Sequence, residues 1–216
     1  MRGWSKYWDG FPPMHYGTHA ISPLRILAGH PIESVICYGS GTMDEKLVKQ
    51  YGNPYPIETA LFSFEGTEVK AEATRSLFET TREYQEGLFV YGSKKSFEWG
   101  FRDGDVPHIT TLDDNGVSSK EELVPNNYRK LPESIKFFTK SNVGKEVDAE
   151  ELEIGRGAPH HGSHPHLVDE FLNLVMNGKR PLMDFKEAIN ISAACLYAHK
   201  SAMLNGRRIK IPKRFR

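Results

Sequence analysis

Two short stretches hold most of the residues able to do acid–base or ligand chemistry. Residues 13–20 read PMHYGTHA and residues 158–166 read APHHGSHPH. His15 and His19 stand four apart, a spacing that on a helix puts two imidazoles on one face and can hold zinc. Gly17 between them disfavours a regular helix, and no HExxH glutamate accompanies them. A histidine near neutral pKa also suits proton transfer, taking a hydroxyl proton while another group removes hydride from the same carbon. A third use is purely structural: an imidazole bonded to the backbone beside a core helix. In the later stretch, His161 and His164 lead into a predicted helix start. Free N–H groups there favour partial negative charge, so a hydroxylated or carboxylated molecule can dock with imidazoles as donors and acceptors. A metal would need three or four converging ligands, which adjacent histidines in a proline-stiffened loop supply poorly. A plain surface loop stays open as the alternative.

One other stretch invites a chemical reading. YGSGTMDE follows a predicted strand, and Gly39 and Gly41 match the first two glycines of a dinucleotide fingerprint. The third place is Asp44, whose carboxylate would repel pyrophosphate and block close helix–strand packing. A turn is the simpler reading.

Composition narrows the classes. Lys plus Arg equals Asp plus Glu at 28 each, so the 216-residue chain has no net charge, which argues against a general nucleic-acid or anionic-membrane binder. The basic residues from Arg207 to Arg216 read as a solvated tail. Cys37 and Cys195 form no CxxC, so neither a disulfide scaffold nor a thiolate zinc site is expected, and a reducing, cytoplasmic setting follows. No apolar run is long enough to span a membrane, and MRGWSKYWDG lacks the apolar centre of a signal peptide.

The elements that must position these residues follow from periodicity. Residues 11–29 suit a short buried helix, with Pro23 an obstacle unless it lies near the start. PIESVICY alternates as a strand, and GSGTMDEKLVKQYG is a glycine turn followed by a polar, potentially helical stretch. From 55 to 112 the period is two, with turns at Glu65-Gly66-Thr67 and Gly92-Ser93-Lys94-Lys95. Residues 113–157 are polar and irregular, with a turn at Asp113–Gly116. Leu167, Val168, Phe171, Leu172 and Val175 form a helical stripe that Gly178 ends. A second helix starts near Asp184 and runs to Gly206, and RRIKIP is a short strand. The expected class is α+β: a large, open, mainly antiparallel sheet with helices on one face.

On three blocks the chain resembles the C-terminal half of the glucose–fructose oxidoreductase/inositol dehydrogenase (Gfo/Idh/MocA) family: PPMHYGTHAISPLRILAG, the hairpin around YGSKKSFEW, and the stretch from HHGSHPH to RRIKIP. The resemblance implies a substrate-binding and oligomerisation domain spanning 1–216, without the Rossmann domain that holds NAD or NADP. A complete member would have about 350–400 residues, the sum of two ordinary domains. No cofactor is expected on this chain alone, and any export signal would lie on the missing half. The family's catalytic histidine lies in a D-x-G-x-H segment. Gly17-Thr18-His19 fits it, so the resemblance makes His19 the proton acceptor or donor. His15 takes the place of the usual aspartate. Tyr16, His161 and His164 would orient a sugar, polyol or related hydroxy compound.

Three functions follow. The first is an enzyme part that is inactive alone, because proximity of cofactor and substrate supplies most of the catalysis; a variant is an NAD-dependent glycosidase without the usual carboxylate pair. The second is a binding module that dimerises through the open sheet face. The third is a metalloprotein using both histidine stretches. The enzyme reading requires His19 and His161 to face one cavity on the helical side of the sheet.

Overall fold

The computed structural model describes residues 5–81, 86–100, 105–123, 131–133 and 164–216. They fall into two compact units, Met1–Asp105 with Phe185–Arg216, and Val106–Asp184.

The first unit begins with helix α1 (Ser5–Trp8), a 3-10 turn (Pro13–Tyr16) and helix α2 (Thr18–Ala28). Pro13 sits at the start of the turn, where its missing N–H costs nothing and its fixed φ is already helical. Pro23 lies inside α2 rather than at its start, so it offers no N–H to the carbonyl of His19 one turn earlier. Gly29, in the left-handed region at φ 68°, caps the helix and donates its N–H to Arg25 O and Ile26 O.

Strand β1 (Ile32–Ser40) follows, then helix α3 (Glu45–Tyr51), strand β2 (Ile57–Phe64) and strand β3 (Lys70–Ser76). β1–β2 and β2–β3 pair antiparallel, and Gly66 turns the second hairpin at φ 70°. The expected hairpin at 92–95 is present as β4 (Phe89–Val90) against β5 (Lys95–Glu98). Helix α5 (Phe185–Met203) and strand β8 (Ile209–Lys210) complete the unit. β8 pairs antiparallel with β1, giving the order β3-β2-β1-β8.

The core lies between β1–β2 and α5. Alternation along the strands points Val35, Cys37, Ala60, Phe62 and Phe64 inward. On α5, Ile191, Ala194, Cys195, Ala198 and Ala202 form the facing stripe. The alanines let helix and sheet approach closely, while fully buried Phe62 and Ile191 each contribute about 1.5–3 kcal/mol of burial. Buried Asn190 anchors the start of α5: its Oδ1 accepts from Ile32 N–H (2.8 Å), and its Nδ2 donates to Ile32 O (3.1 Å) and Phe215 O (2.8 Å). The opposite sheet face leaves Tyr38 55% and Leu61 46% exposed.

The second unit contains the antiparallel pair β6 (His108–Leu112) and β7 (Ser118–Glu122), and helix α4 (His164–Asn177). β7 lies where the sequence reads as irregular. All five of its residues are exposed, so no apolar alternation marks it, and ladder hydrogen bonds to β6 define it instead. α4 ends at Gly178 as expected, but the stripe from Leu167 to Val175 is exposed and no residue of α4 is buried. The overall class is α+β with antiparallel sheets.

Two outcomes follow. Burial pushes the Cys195 thiol up to about 12, and burial, with Glu58 nearby, pushes Cys37 up as well. Neither thiol is therefore expected to react with a disulfide reagent in the native protein, and both should react in denaturant. Gly17 has ordinary φ, yet a Cβ there would stand 2.8 Å from Met14 O and 3.2 Å from Cys195 Sγ. Gly17→Ala should lower stability by about 1–3 kcal/mol in urea unfolding, through overpacking rather than backbone strain.

Candidate active site

The site is built on the 3-10 turn and the first turn of α2, with Gly17 as the joint. This joint decides how His15 and His19 are used. They belong to separate elements, and their rings have different neighbours. His15 packs edge-on against Phe11 (5.6 Å between centroids) and against His199 of α5 (4.8 Å). His19 turns toward Glu86, with Nδ1 3.0 Å from Oε1, and its side chain is 33% exposed. Tyr16 tilts against His19 at 4.7 Å, meets Trp8 edge-on at 5.0 Å, and carries the Arg75 guanidinium over its face at 5.1 Å. Its ring is thus held on three sides.

Beneath the turn lies a fully buried carboxylate, Glu58. Its Oε2 accepts the Met14 N–H at 2.7 Å, and its Oε1 stands 2.7 Å from His199 Nδ1. A carboxylate oxygen facing an imidazole nitrogen at that distance takes a charge-assisted hydrogen bond. Across the β2–β3 ladder the residue opposite Glu58 is Arg75, itself buried.

These surroundings separate the imidazoles chemically. Burial holds His15 below its ordinary 6.5. A positive charge on His199 acts in the same direction, and Glu58 acts against it. His15 is therefore a neutral ring near pH 7, while His19 presents its ring partly to solvent with a carboxylate at Nδ1. A carboxylate-held imidazole with one open nitrogen is the arrangement of a general acid or base. A groove of about 1060 Å³ begins beside it, lined among others by Ala20, Leu24, Arg75, Gly87 and Phe89. Ala20 and Gly87 are the chain neighbours of His19 and Glu86, though no described histidine lines the groove itself.

His164 is the exposed first residue of α4. His161 lies outside the described residues. Among the described residues no three His, Cys, Asp or Glu side chains are grouped to hold a metal ion, and no helix is long and apolar enough to cross a membrane. The Gly39–Gly41 stretch is a poor cradle for a pyrophosphate. Asp44 caps α3 and accepts the Lys46 N–H at 2.8 Å, and the Tyr55 ring lies where a Cβ on Gly39 would stand.

The strongest members of the site went unmarked in the sequence reading: Glu58, Arg75, Glu86 and His199. Two carried a readable signal. Glu58 shares the inward phase of β2 with Ala60, Phe62 and Phe64, and a charge on an apolar phase must have a partner. His199 follows Cys195 by one helical turn, on the core-facing side of α5. Glu86 carried no such signal.

No protein-family model and no curated protein matches the sequence. Solved structures do. UDP-N-acetylglucosamine 3-dehydrogenase GnnA from Acidithiobacillus ferrooxidans aligns with a TM-score of 0.54 at 11% identity, over 90% of this chain and 46% of its own. An oxidoreductase from Bacillus cereus aligns with a TM-score of 0.51 at 13% identity, over 91% of this chain and 51% of its own. The likeness is one of fold, shared with part of structures that are Gfo/Idh/MocA-type oxidoreductases. The chain spans about half the length of these structures.

The lowered pKa of His15 has a thermodynamic consequence. The unfolded chain, with an ordinary imidazole, takes up a proton at pH values where folded His15 does not. Its contribution to stability is complete above 6.5 and is lost as the pH falls from there toward the folded midpoint. The urea midpoint of the wild type should therefore fall on acidification below 6.5, and His15→Asn should lose less over the same range.

Proposed function

We propose that this chain is the substrate-side, C-terminal domain of an NAD(P)-dependent oxidoreductase acting on a sugar, polyol or related hydroxy compound. The observation that carries the reading is the His19–Glu86 pair, 3.0 Å apart at the partly exposed start of α2, in a fold shared with oxidoreductases. A dinucleotide supplies hydride acceptance when bound, and residues outside this chain would hold it.

In this reading His19 takes the hydroxyl proton on Nε2, as oxidation makes the carbon–oxygen bond a carbonyl. Glu86 orients the ring through Nδ1 and stabilises the charge it gains. Tyr16, immobilised by Trp8 and Arg75, backs the imidazole and offers its hydroxyl to the substrate. His15 lines the inner side of the turn. GnnA is named as a UDP-N-acetylglucosamine 3-dehydrogenase, which supports a polyhydroxylated substrate. The exposed Tyr38 and Leu61 on the sheet face opposite the α5 core support self-association through that face.

His19→Gln in the complete polypeptide should lower kcat by about 10²–10⁴-fold with a smaller change in KM; full turnover in that variant would overturn the assignment. The 216-residue chain alone should bind neither NADH nor NADPH at micromolar concentrations in a fluorescence titration. Light scattering should give a mass of at least two chains, and Leu61→Glu should reduce it to one.

A further inference from the structure

His199 has a place in the fold that packing alone does not require. It reaches from α5 toward the 3-10 turn with only 14% of its side chain exposed. It meets two groups there, the Glu58 carboxylate at 2.7 Å and the edge of the His15 ring at 4.8 Å between centroids. The other oxygen of Glu58 is bonded to Met14 N–H, one residue before His15. One buried carboxylate therefore fixes both the backbone that carries His15 and the imidazole that faces it.

We propose that His199 is a positioning residue, clamped by Glu58, that holds the His15 ring in place at the inner wall of the substrate-facing turn. This rests on the reading of that turn as the edge of the substrate site. Among the described residues, the charged groups that act on His15 are His199 and Glu58. His199 faces it from α5 and Glu58 from β2, while Arg75 of β3 stacks on the adjacent Tyr16. The thiols of Cys37 and Cys195 stay protonated in the core. Burial disfavours a proton on His15, and the coulombic influence of His199 opposes it further. A neutral His15 keeps one nitrogen able to accept from a hydroxyl, a capacity that an imidazolium lacks.

The test is a pH titration of ring signals by NMR on the 216-residue chain, with no cofactor or substrate, in the wild type, His199→Gln and His199→Lys. Glutamine keeps a donor for Glu58 and removes the charge; lysine keeps the charge. The His15 midpoint should lie below 6.5 in the wild type, rise in His199→Gln and stay low in His199→Lys. An unmoved midpoint in His199→Gln, or equal movement in both variants, would overturn the proposal, because a merely structural residue changes the unfolding midpoint without this charge-dependent pattern. If neither variant folds, the wild-type curves decide. A His15 midpoint at or above the ordinary 6.5 in those curves overturns the clamp. The readout contains no turnover, so a failed His19 assignment leaves it intact and a failed clamp leaves the His19 assignment intact.

Discussion

A carboxylate without exposed surface can stay in an apolar layer only if its oxygens are answered, because desolvation costs several kcal/mol per ion before any partner is counted. Glu58 meets that condition with two different parts of the chain: the 3-10 turn gives the Met14 N–H and α5 gives His199. The placement of the site depends on this arrangement. If the turn moved away from β2, an N–H and a carboxylate oxygen would both be left buried and unpaired. The buried charge therefore specifies where the turn sits more than it adds to net stability.

The histidines divide their surroundings in a way that residue type alone does not reveal. His199 is inside and bound to a carboxylate, His15 is at the inner wall, and His19 is at the rim with a carboxylate of its own. Gly17 makes the division possible. It lets the chain pass from a 3-10 turn into an α-helix hard against Cys195, so residues four apart do not share one helical face. That geometry removes the premise of a two-histidine zinc face.

Local features were legible because local physics produces them. The alternation of PIESVICY marked β1, the turn at Glu65–Thr67 marked the β2–β3 hairpin, and Gly178 marked the end of α4. Pro23 shows where such rules yield: packing of Ile21 and Arg25 and the bond from Ser22 Oγ to Thr18 O keep α2 helical past it. β7 was not legible, since SSKEE carries no alternation and its pairing with β6 defines it. The pairs Glu58–His199 and His19–Glu86 join residues far apart in sequence. Periodicity can mark one partner as out of place, as it does Glu58, but cannot name the other.

The pairing of β8 with β1 bears on how the protein is made. Ser34 and Val35 meet Lys210 and Ile209, so during synthesis β1 waits for nearly the whole chain before its second edge is covered. Until then a strand rich in Ile, Val and Cys offers unpaired N–H and C=O groups to any other extended chain, the condition under which nascent polypeptides misassociate. Folding of the first unit is thus a late event, sealed when Asn190 takes hold of Ile32 and Phe215. The nascent chain's exposure to aggregation is set by the time needed to translate the residues in between.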